Sequence, residues 1–167
     1  MAFMTETIIA LQSPGVEVNI RPVRLSDTAS LHKNCWPERN PDSVYRFISR
    51  IRHTALNGRG IGAVVVAEDN EVIGYGQFMM WPRCGEISDL IIAPAYRRKG
   101  CGTALIQFLV RAAREMNADC VDIGAALSNP GAVALYRRLG FRDSYQQTVN
   151  LGNGEENVLY LRIKFPK

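Results

Sequence analysis

The segment that most constrains this chain is Arg97-Arg98-Lys99-Gly100-Cys101-Gly102, which joins the apolar run Ile87 to Ala93 to a helix-patterned run from Thr103 to Met116. Read in order, it is a strand, a glycine turn and a helix start. Two glycines one residue apart let the backbone turn so that successive N–H groups face outward at a helix N-terminus, where the helix dipole adds partial positive charge. Such a turn binds phosphate.

Two common phosphate loops do not fit these residues. A nucleotide-triphosphate loop needs Gly-Lys-Ser/Thr, but Gly102 is followed by Thr103 and Ala104. A dinucleotide fingerprint needs a third glycine at position 105, which is Leu105. What remains is Arg97-x-x-Gly100-x-Gly102. A second pattern follows about thirty residues on, Asn129-Pro130-Gly131-Ala132-Val133-Ala134-Leu135-Tyr136-Arg137-Arg138-Leu139-Gly140-Phe141.

Composition narrows the setting. With 167 residues, of which 47% are hydrophobic, one domain can bury roughly 70% of the surface that the unfolded chain exposes. Residues 1–15 read as an irregular arm and 16–167 as a single domain. Cys35, Cys84, Cys101 and Cys120 are scattered without Cys-x-x-Cys spacing or a histidine cluster, so neither a zinc site nor a disulfide framework is expected. No apolar run approaches membrane length and no basic leader precedes Ile8-Ile9-Ala10-Leu11, so the expectation is a soluble, cytoplasmic protein in a reducing compartment. The formal net charge of +4, with basic residues at Arg97-Arg98-Lys99 and Arg137-Arg138, suits a polyphosphate ligand. Nucleic acid has less support, because no helix-turn-helix, zinc-finger or RNP-like pattern is present.

The periodicity predicts a strand over Val18–Val23, a short helix over Asp27–Asn34 capped by Ser26, and a longer helix over Asp42–Leu56. A hairpin follows, Ile61–Ala67 and Glu71–Trp81, turning at Glu68-Asp69-Asn70. Then come a strand over Glu86–Ala93, the helix after the glycine turn, a strand over Cys120–Ala126, a helix over Ala132–Leu139 stopped by Gly140, and a closing hairpin of Arg142–Asn150 with Asn157–Phe165.

Both glycine-turn and Asn129–Phe141 patterns, in this order, resemble the pyrophosphate loop and the following helix motif of the GNAT superfamily of acyl-CoA-dependent N-acetyltransferases. The resemblance covers about Val18 to Phe165. It implies an α/β (α+β) fold, a mixed sheet of about seven strands with helices on both faces, splayed between the Glu86–Ala93 and Cys120–Ala126 strands. It also implies acetyl-CoA as co-substrate, no metal, an amine acceptor, and room for a homodimer.

The same resemblance implies roles for individual residues. Backbone N–H groups of Arg98, Lys99, Gly100, Cys101, Gly102 and Thr103 would hold the pyrophosphate, with Arg97 buttressing the loop or reaching phosphate. Leu90, Ile91 and Ile92 would offer backbone donors to the pantetheine arm and the thioester carbonyl. Asn129 would cap its helix and bond the pantetheine, and Tyr136 would protonate the departing thiolate. Cys101 is a spacer, since no histidine stands nearby in sequence to activate it.

An acceptor arriving as ammonium must lose a proton before it attacks, which calls for a base. Glu86 opens its strand at the place where histone-acetylating members of the family carry a glutamate. It is the first candidate, Asp89 the reserve, and a solvated strand-end carboxylate the competing reading. His32 and His53 sit in helical contexts and read as surface or packing residues. The acceptor pocket is expected between Cys35–Asp42 and Leu151–Asn157, where Trp36, Glu38, Asp42, Glu155 and Glu156 either attract a cationic amine or are solvated loop residues. An N-acetyltransferase acting on a primary amine of a small molecule or of a protein or peptide is the leading reading, with a non-catalytic acyl-CoA-binding sensor as the rival.

Overall fold

A computed structural model of the chain describes residues 7–10, 17–150 and 152–167. The elements run β1 (Thr7–Ala10), β2 (Glu17–Pro22), α1 (Thr28–Asn34), α2 (Pro41–Leu56), β3 (Gly60–Ala67), β4 (Val72–Trp81), β5 (Cys84–Ile92), α3 (Cys101–Glu115), β6 (Cys120–Ala126), α4 (Pro130–Arg138), β7 (Arg142–Asn150) and β8 (Glu155–Lys164). Most of the arm expected over residues 1–15 lies outside the described residues; its Thr7–Ala10 segment pairs antiparallel with β2 and adds a strand beyond the seven anticipated.

Local chemistry explains several boundaries. Asn40 caps α2, its Oδ1 accepting from the backbone N–H of Asp42 at 2.8 Å, and Pro41 supplies the first helical residue, where a missing N–H costs nothing. Ser26 does not cap α1 as expected. It lies in a 3₁₀ turn over Leu25–Asp27, because the Asp27 carboxylate is drawn into a buried bidentate pair with Arg21, at 2.8 Å for each bond, and also accepts from the Arg24 N–H. The hairpin turn predicted at Glu68-Asp69-Asn70 is present, with Asn70 in the left-handed region at φ 64°.

The strands form one sheet in the order β1-β2-β3-β4-β5-β6-β8-β7. Every neighbouring pair is antiparallel except β5 and β6. One face carries α3 and α4 over a core that includes Ile20, Val65, Phe78, Ile87, Leu105, Phe108, Leu109, Val121, Ile123 and Phe141. On the other face α1 and α2 pack over β3 and β4, where Trp36, Phe47 and Tyr75 meet edge to face at centroid distances of 5.4 to 5.6 Å. Among the described residues no helix is long and apolar enough to cross a membrane.

Two features of β5 shape the middle of the sheet. First, its pairing with β6 is short, running only from Cys84 opposite Cys120 to Ile87 opposite Ile123, after which both strands continue apart. Second, β5 bulges: Ser88 faces Gln77 and Ile91 faces Tyr75, so Asp89 and Leu90 together oppose Gly76. Asp89 takes the strained left-handed conformation at φ 56°. A Cβ at Gly76 would meet Leu90 Cδ2 at 2.7 Å, so a larger residue there would have to displace that side chain. The bulge bends β5 away from β6 and opens the expected splay.

The cysteines depart from expectation. Cys84 and Cys120, which the sequence offers no reason to pair, are joined by a disulfide between facing positions on the two parallel strands, 36 residues apart in sequence with Cα atoms 4.7 Å apart. Parallel register brings them together, and spacing along the chain carries no trace of that. Cys35 and Cys101 are buried free thiols.

Candidate active site

Two helices begin at the carboxyl ends of the splayed parallel strands. α3 starts at Cys101 after β5, and α4 starts at Pro130 after β6. Their N-termini therefore flank one opening, where unpaired backbone N–H groups and both helix dipoles favour an anionic ligand. An open cleft of about 550 Å³ occupies this place, and its lining brings together Ile92, Arg97, Arg98, Gly100, Gly102, Thr103 and Asn129, with Leu135 and Arg138 from α4.

Within the glycine turn, Arg98 and Gly100 both have positive φ, 60° and 88°. Gly100 precedes the helix in the left-handed region that glycine adopts without strain. Gly102 is different: a Cβ there would meet nothing nearer than Ile92 Cγ1 at 4.0 Å. The fold does not demand glycine at 102, and the space beside it opens to the cleft. A pyrophosphate resting against the backbone would occupy that space, so these residues fit the phosphate end of an acyl-CoA.

Arg97 is tied to the end of β5 and also lines the cleft. Its Nε donates to the carbonyl oxygen of Ile92 at 2.9 Å, tying the loop to the end of β5. Lys99 turns aside, its ammonium 5.6 Å from the Tyr96 ring centroid, and lines a separate hollow with Glu17 and Asp69. Cys101 is 1% exposed, and burial pushes its thiol up from the ordinary value, so it is a protonated core group rather than a nucleophile.

Leu90, Ile91 and Ile92 lie on the part of β5 that pairs with β4 but has left β6, so one backbone edge faces the gap. That edge can donate to a ligand lying between the strands. Asn129 caps α4, its Oδ1 accepting from the Ala132 N–H at 3.2 Å. Tyr136 is 9% exposed, packed against Phe141 with ring centroids 6.2 Å apart, and is not part of the cleft lining. Burial raises its phenol above the ordinary value, which keeps the proton on.

Glu86 stands at the foot of the gap, half-buried, with Asp122 directly opposite on β6. Its carboxyl is pushed up from the ordinary value first by burial, then by the negative charges of Asp122 and Asp89. Asp89 itself is exposed at the bulge, held by a 3.3 Å contact from Ser88 Oγ.

The residues expected on the acceptor side divide between core and surface. Trp36 is 4% exposed and belongs to the core under α1 and α2, with the Arg39 guanidinium 4.8 Å above its ring. Glu38, Asp42 and Glu155 are exposed, Glu156 accepts from Ser128 Oγ, and Leu151 lies outside the described residues. His53 is exposed near the end of α2, and the His32 ring lies 2.9 Å from the Arg39 carbonyl.

Near Glu86 the open face instead carries residues that sequence reasoning missed. Asp122 pairs with Arg162, and Tyr145 stacks on Tyr160 with centroids 4.7 Å apart and planes 9° apart. Tyr145 is 44% exposed. Asp122 had a detectable signal, being the one charged residue in the Cys120–Ala126 strand. The tyrosine pair had none, because its partners meet only through the hairpin register.

Comparison with known proteins agrees with this architecture. The acetyltransferase (GNAT) family profile matches residues 25–141. Over 162 residues the chain is 31% identical to an N-alpha-acetyltransferase from Sulfurisphaera tokodaii, spanning 87% of this chain and 92% of that protein. Among solved structures, an acetyltransferase from Salmonella typhimurium that modifies the N-terminal serine of a 50S ribosomal subunit protein superposes with a TM-score of 0.77 at 15% identity, covering 96% of this chain and 100% of the other. Spermidine N-acetyltransferase from Vibrio cholerae, in complex with CoA and spermine, gives 0.73 at 21% identity, covering 88% and 95%. The chain therefore belongs to the acetyltransferase (GNAT) family, as an acyl-CoA-dependent N-acyltransferase.

Proposed function

We propose that the protein transfers the acetyl group of acetyl-CoA directly to the α-amino group of a polypeptide, with Glu86 as general base and Tyr136 as general acid. The observation that carries this reading is the splay of β5 from β6, with two helix N-termini at its mouth and Glu86 at its foot. Acetyl-CoA supplies an activated acyl carbon. The turn from Arg98 to Thr103 holds its pyrophosphate, and the unpaired edge of Leu90–Ile92 takes the pantetheine and polarises the thioester carbonyl, a kind of contact whose loss costs about 100- to 1,000-fold in other acyl transfers.

Glu86 removes a proton from the acceptor ammonium. The freed nitrogen forms the C–N bond, the C–S bond breaks, Tyr136 protonates the departing thiolate, and the second amine proton leaves the new amide nitrogen to restore the Tyr136 phenol. Support for a polypeptide acceptor comes from the relative that matches this chain along nearly its whole length and is named for α-amino acetylation. The carboxylates and stacked rings beside the gap suit a cationic amine attached to a larger body.

Turnover of acetyl-CoA against an amine panel tests this directly. Peptides with free N-termini should be acetylated, the same peptides carrying a blocked N-terminus and a free lysine much more slowly, and spermidine slowly or not at all. Faster turnover of spermidine than of every free peptide would replace the polypeptide acceptor with a small polyamine.

A further inference from the structure

A single transverse row crosses the face of the sheet at the foot of the gap. Met79 on β4, Glu86 on β5, Asp122 on β6, Arg162 on β8 and Arg142 on β7 are successive cross-strand partners. Residues directly opposite each other project to the same face. Glu86 therefore has an uncharged thioether on one side and a carboxylate on the other.

That carboxylate is not free to move. Asp122 is 8% exposed, and both of its oxygens are held by Arg162, Nε to Oδ1 at 2.6 Å and Nη2 to Oδ2 at 2.9 Å. One level further along, Gly124 faces Tyr160, and a Cβ at 124 would meet Tyr160 Cε1 at 3.0 Å, so the Tyr160 ring lies across β6. Tyr145 stacks on that ring. The titratable and charged groups around Glu86 are thus Asp122 from β6, Arg162 and Tyr160 from β8, Tyr145 from β7 and Asp89 from its own strand, while β4 contributes Gln77 and Met79.

An ion pair taken mostly out of water seldom stabilises a fold more than apolar residues of the same size would. The other buried positions of β6 are apolar, namely Cys120, Val121, Ile123 and Ala125, so a stability role leaves Asp122 without a reason. A role beside Glu86 supplies one. We propose that Asp122, locked by Arg162, is a positioning residue for acyl transfer: it fixes a negative charge next to Glu86 and thereby makes Glu86 a stronger base toward the acceptor ammonium. In the step concerned, the Glu86 carboxylate accepts one proton from R–NH3⁺ to give R–NH2 and the carboxylic acid. Asp122 remains hydrogen-bonded through both oxygens to Arg162 throughout. The inference rests on Glu86 being the base.

The two halves of the pair have opposite electrostatic effects on Glu86. In Asp122→Asn the neighbouring negative charge is gone and Arg162 is left facing Glu86, so Glu86 ionises at lower pH. In Arg162→Gln two uncompensated carboxylates share one site, so the pair holds a proton to higher pH. A purely structural ion pair would impair both variants alike and leave the titration where it was.

The experiment is the pH dependence of kcat/KM for wild type, Asp122→Asn, Arg162→Gln and Asp122→Glu, with one peptide acceptor throughout so that the acceptor's own titration is common to all. The acidic limb should move down by about one pH unit in Asp122→Asn and up by about one unit in Arg162→Gln. It should stay near wild type in Asp122→Glu, with acetyl-CoA affinity unchanged in every variant. Asp122→Asn should also lose about 3- to 10-fold in kcat on the plateau, as expected for a weaker base. Should Asp122→Asn fail to fold, the upward shift in Arg162→Gln still decides the matter. Limbs that coincide with wild type, or move in the same direction in both variants, overturn the proposal. Wild-type turnover in Glu86→Gln would instead remove the base itself, a separate failure visible without touching Asp122.

Discussion

Arg97 reaches back to Ile92, its Nε donating to the last carbonyl of β5 at 2.9 Å. The contact spans the irregular segment between the strand and α3, and so couples the backbone edge that faces the gap to the turn that receives the phosphates. Arg97→Ala should loosen both at once. Acetyl-CoA affinity should fall about 10- to 100-fold, within the range of a charge-assisted hydrogen bond, while melting of the ligand-free protein changes little. Isothermal titration at low and high salt measures it, and because the lost contact is not a contact to phosphate, the deficit should persist at high salt.

Gly102 separates fold from ligand. A Cβ there meets no atom closer than 4.0 Å, so Gly102→Ala and Gly102→Val should fold normally. Both should bind acetyl-CoA more weakly, Val more than Ala. In wild type, ligand at 100 times its dissociation constant should add about 2.7 kcal/mol of stability. A thermal-shift titration reads both effects, with the Val variant expected to show little or no shift over the same concentrations.

Burial first, then Asp122 and Asp89, hold Glu86 above its ordinary value. A carboxyl whose folded pKa is raised favours the folded state while it is protonated, and that contribution is lost as pH rises through the folded value. Glu86→Gln, which stays neutral, should therefore match wild type in stability at low pH and exceed it at neutral and alkaline pH. Turnover should move the other way, falling about 100- to 10,000-fold at neutral pH with partial recovery as alkaline pH frees more amine. Chemical denaturation at several pH values, beside steady-state rates, gives both signs in one set of samples.

Tyr136 is buried against Phe141, and burial keeps its phenol protonated. Tyr136→Phe retains the ring and its packing, so the melting temperature should hold. Single-turnover acetyl transfer should slow by about 10- to 1,000-fold if the phenol supplies the leaving-group proton. The slowing should shrink with acyl donors whose thiol leaves more readily, which a loss of packing alone does not explain.

The bridge between Cys84 and Cys120 joins β5 to β6 two residues before Glu86 and Asp122. Denatured without reductant, the protein should show two reactive thiols, Cys35 and Cys101, and four after reduction. Reduction, or Cys84→Ser with Cys120→Ser, should cost about 2–4 kcal/mol of stability. Thiol titration and denaturant melts with and without dithiothreitol measure the two effects.

Much of this molecule is written in its local sequence. The glycine turn, the Asn129 cap, the helix stop at Gly140 and the apolar stripe of α3 are determined by residues within a few positions of one another, through φ preferences, capping bonds and periodicity. Those same short segments hold the proposed phosphate and pantetheine contacts, so the acyl-CoA end of the site is legible in the order of residues alone. The acceptor end is not. Trp36 goes to the core because α1 and α2 fold over Tyr75, while Asp122, Arg162 and the Tyr145–Tyr160 pair come together near Glu86. Each of those meetings, like the Cys84–Cys120 bridge, depends on which strands become neighbours and in what register. Register is set by the whole sheet and by the bulge at Asp89, not by the spacing of residues along the chain, and so only the tertiary structure decided it.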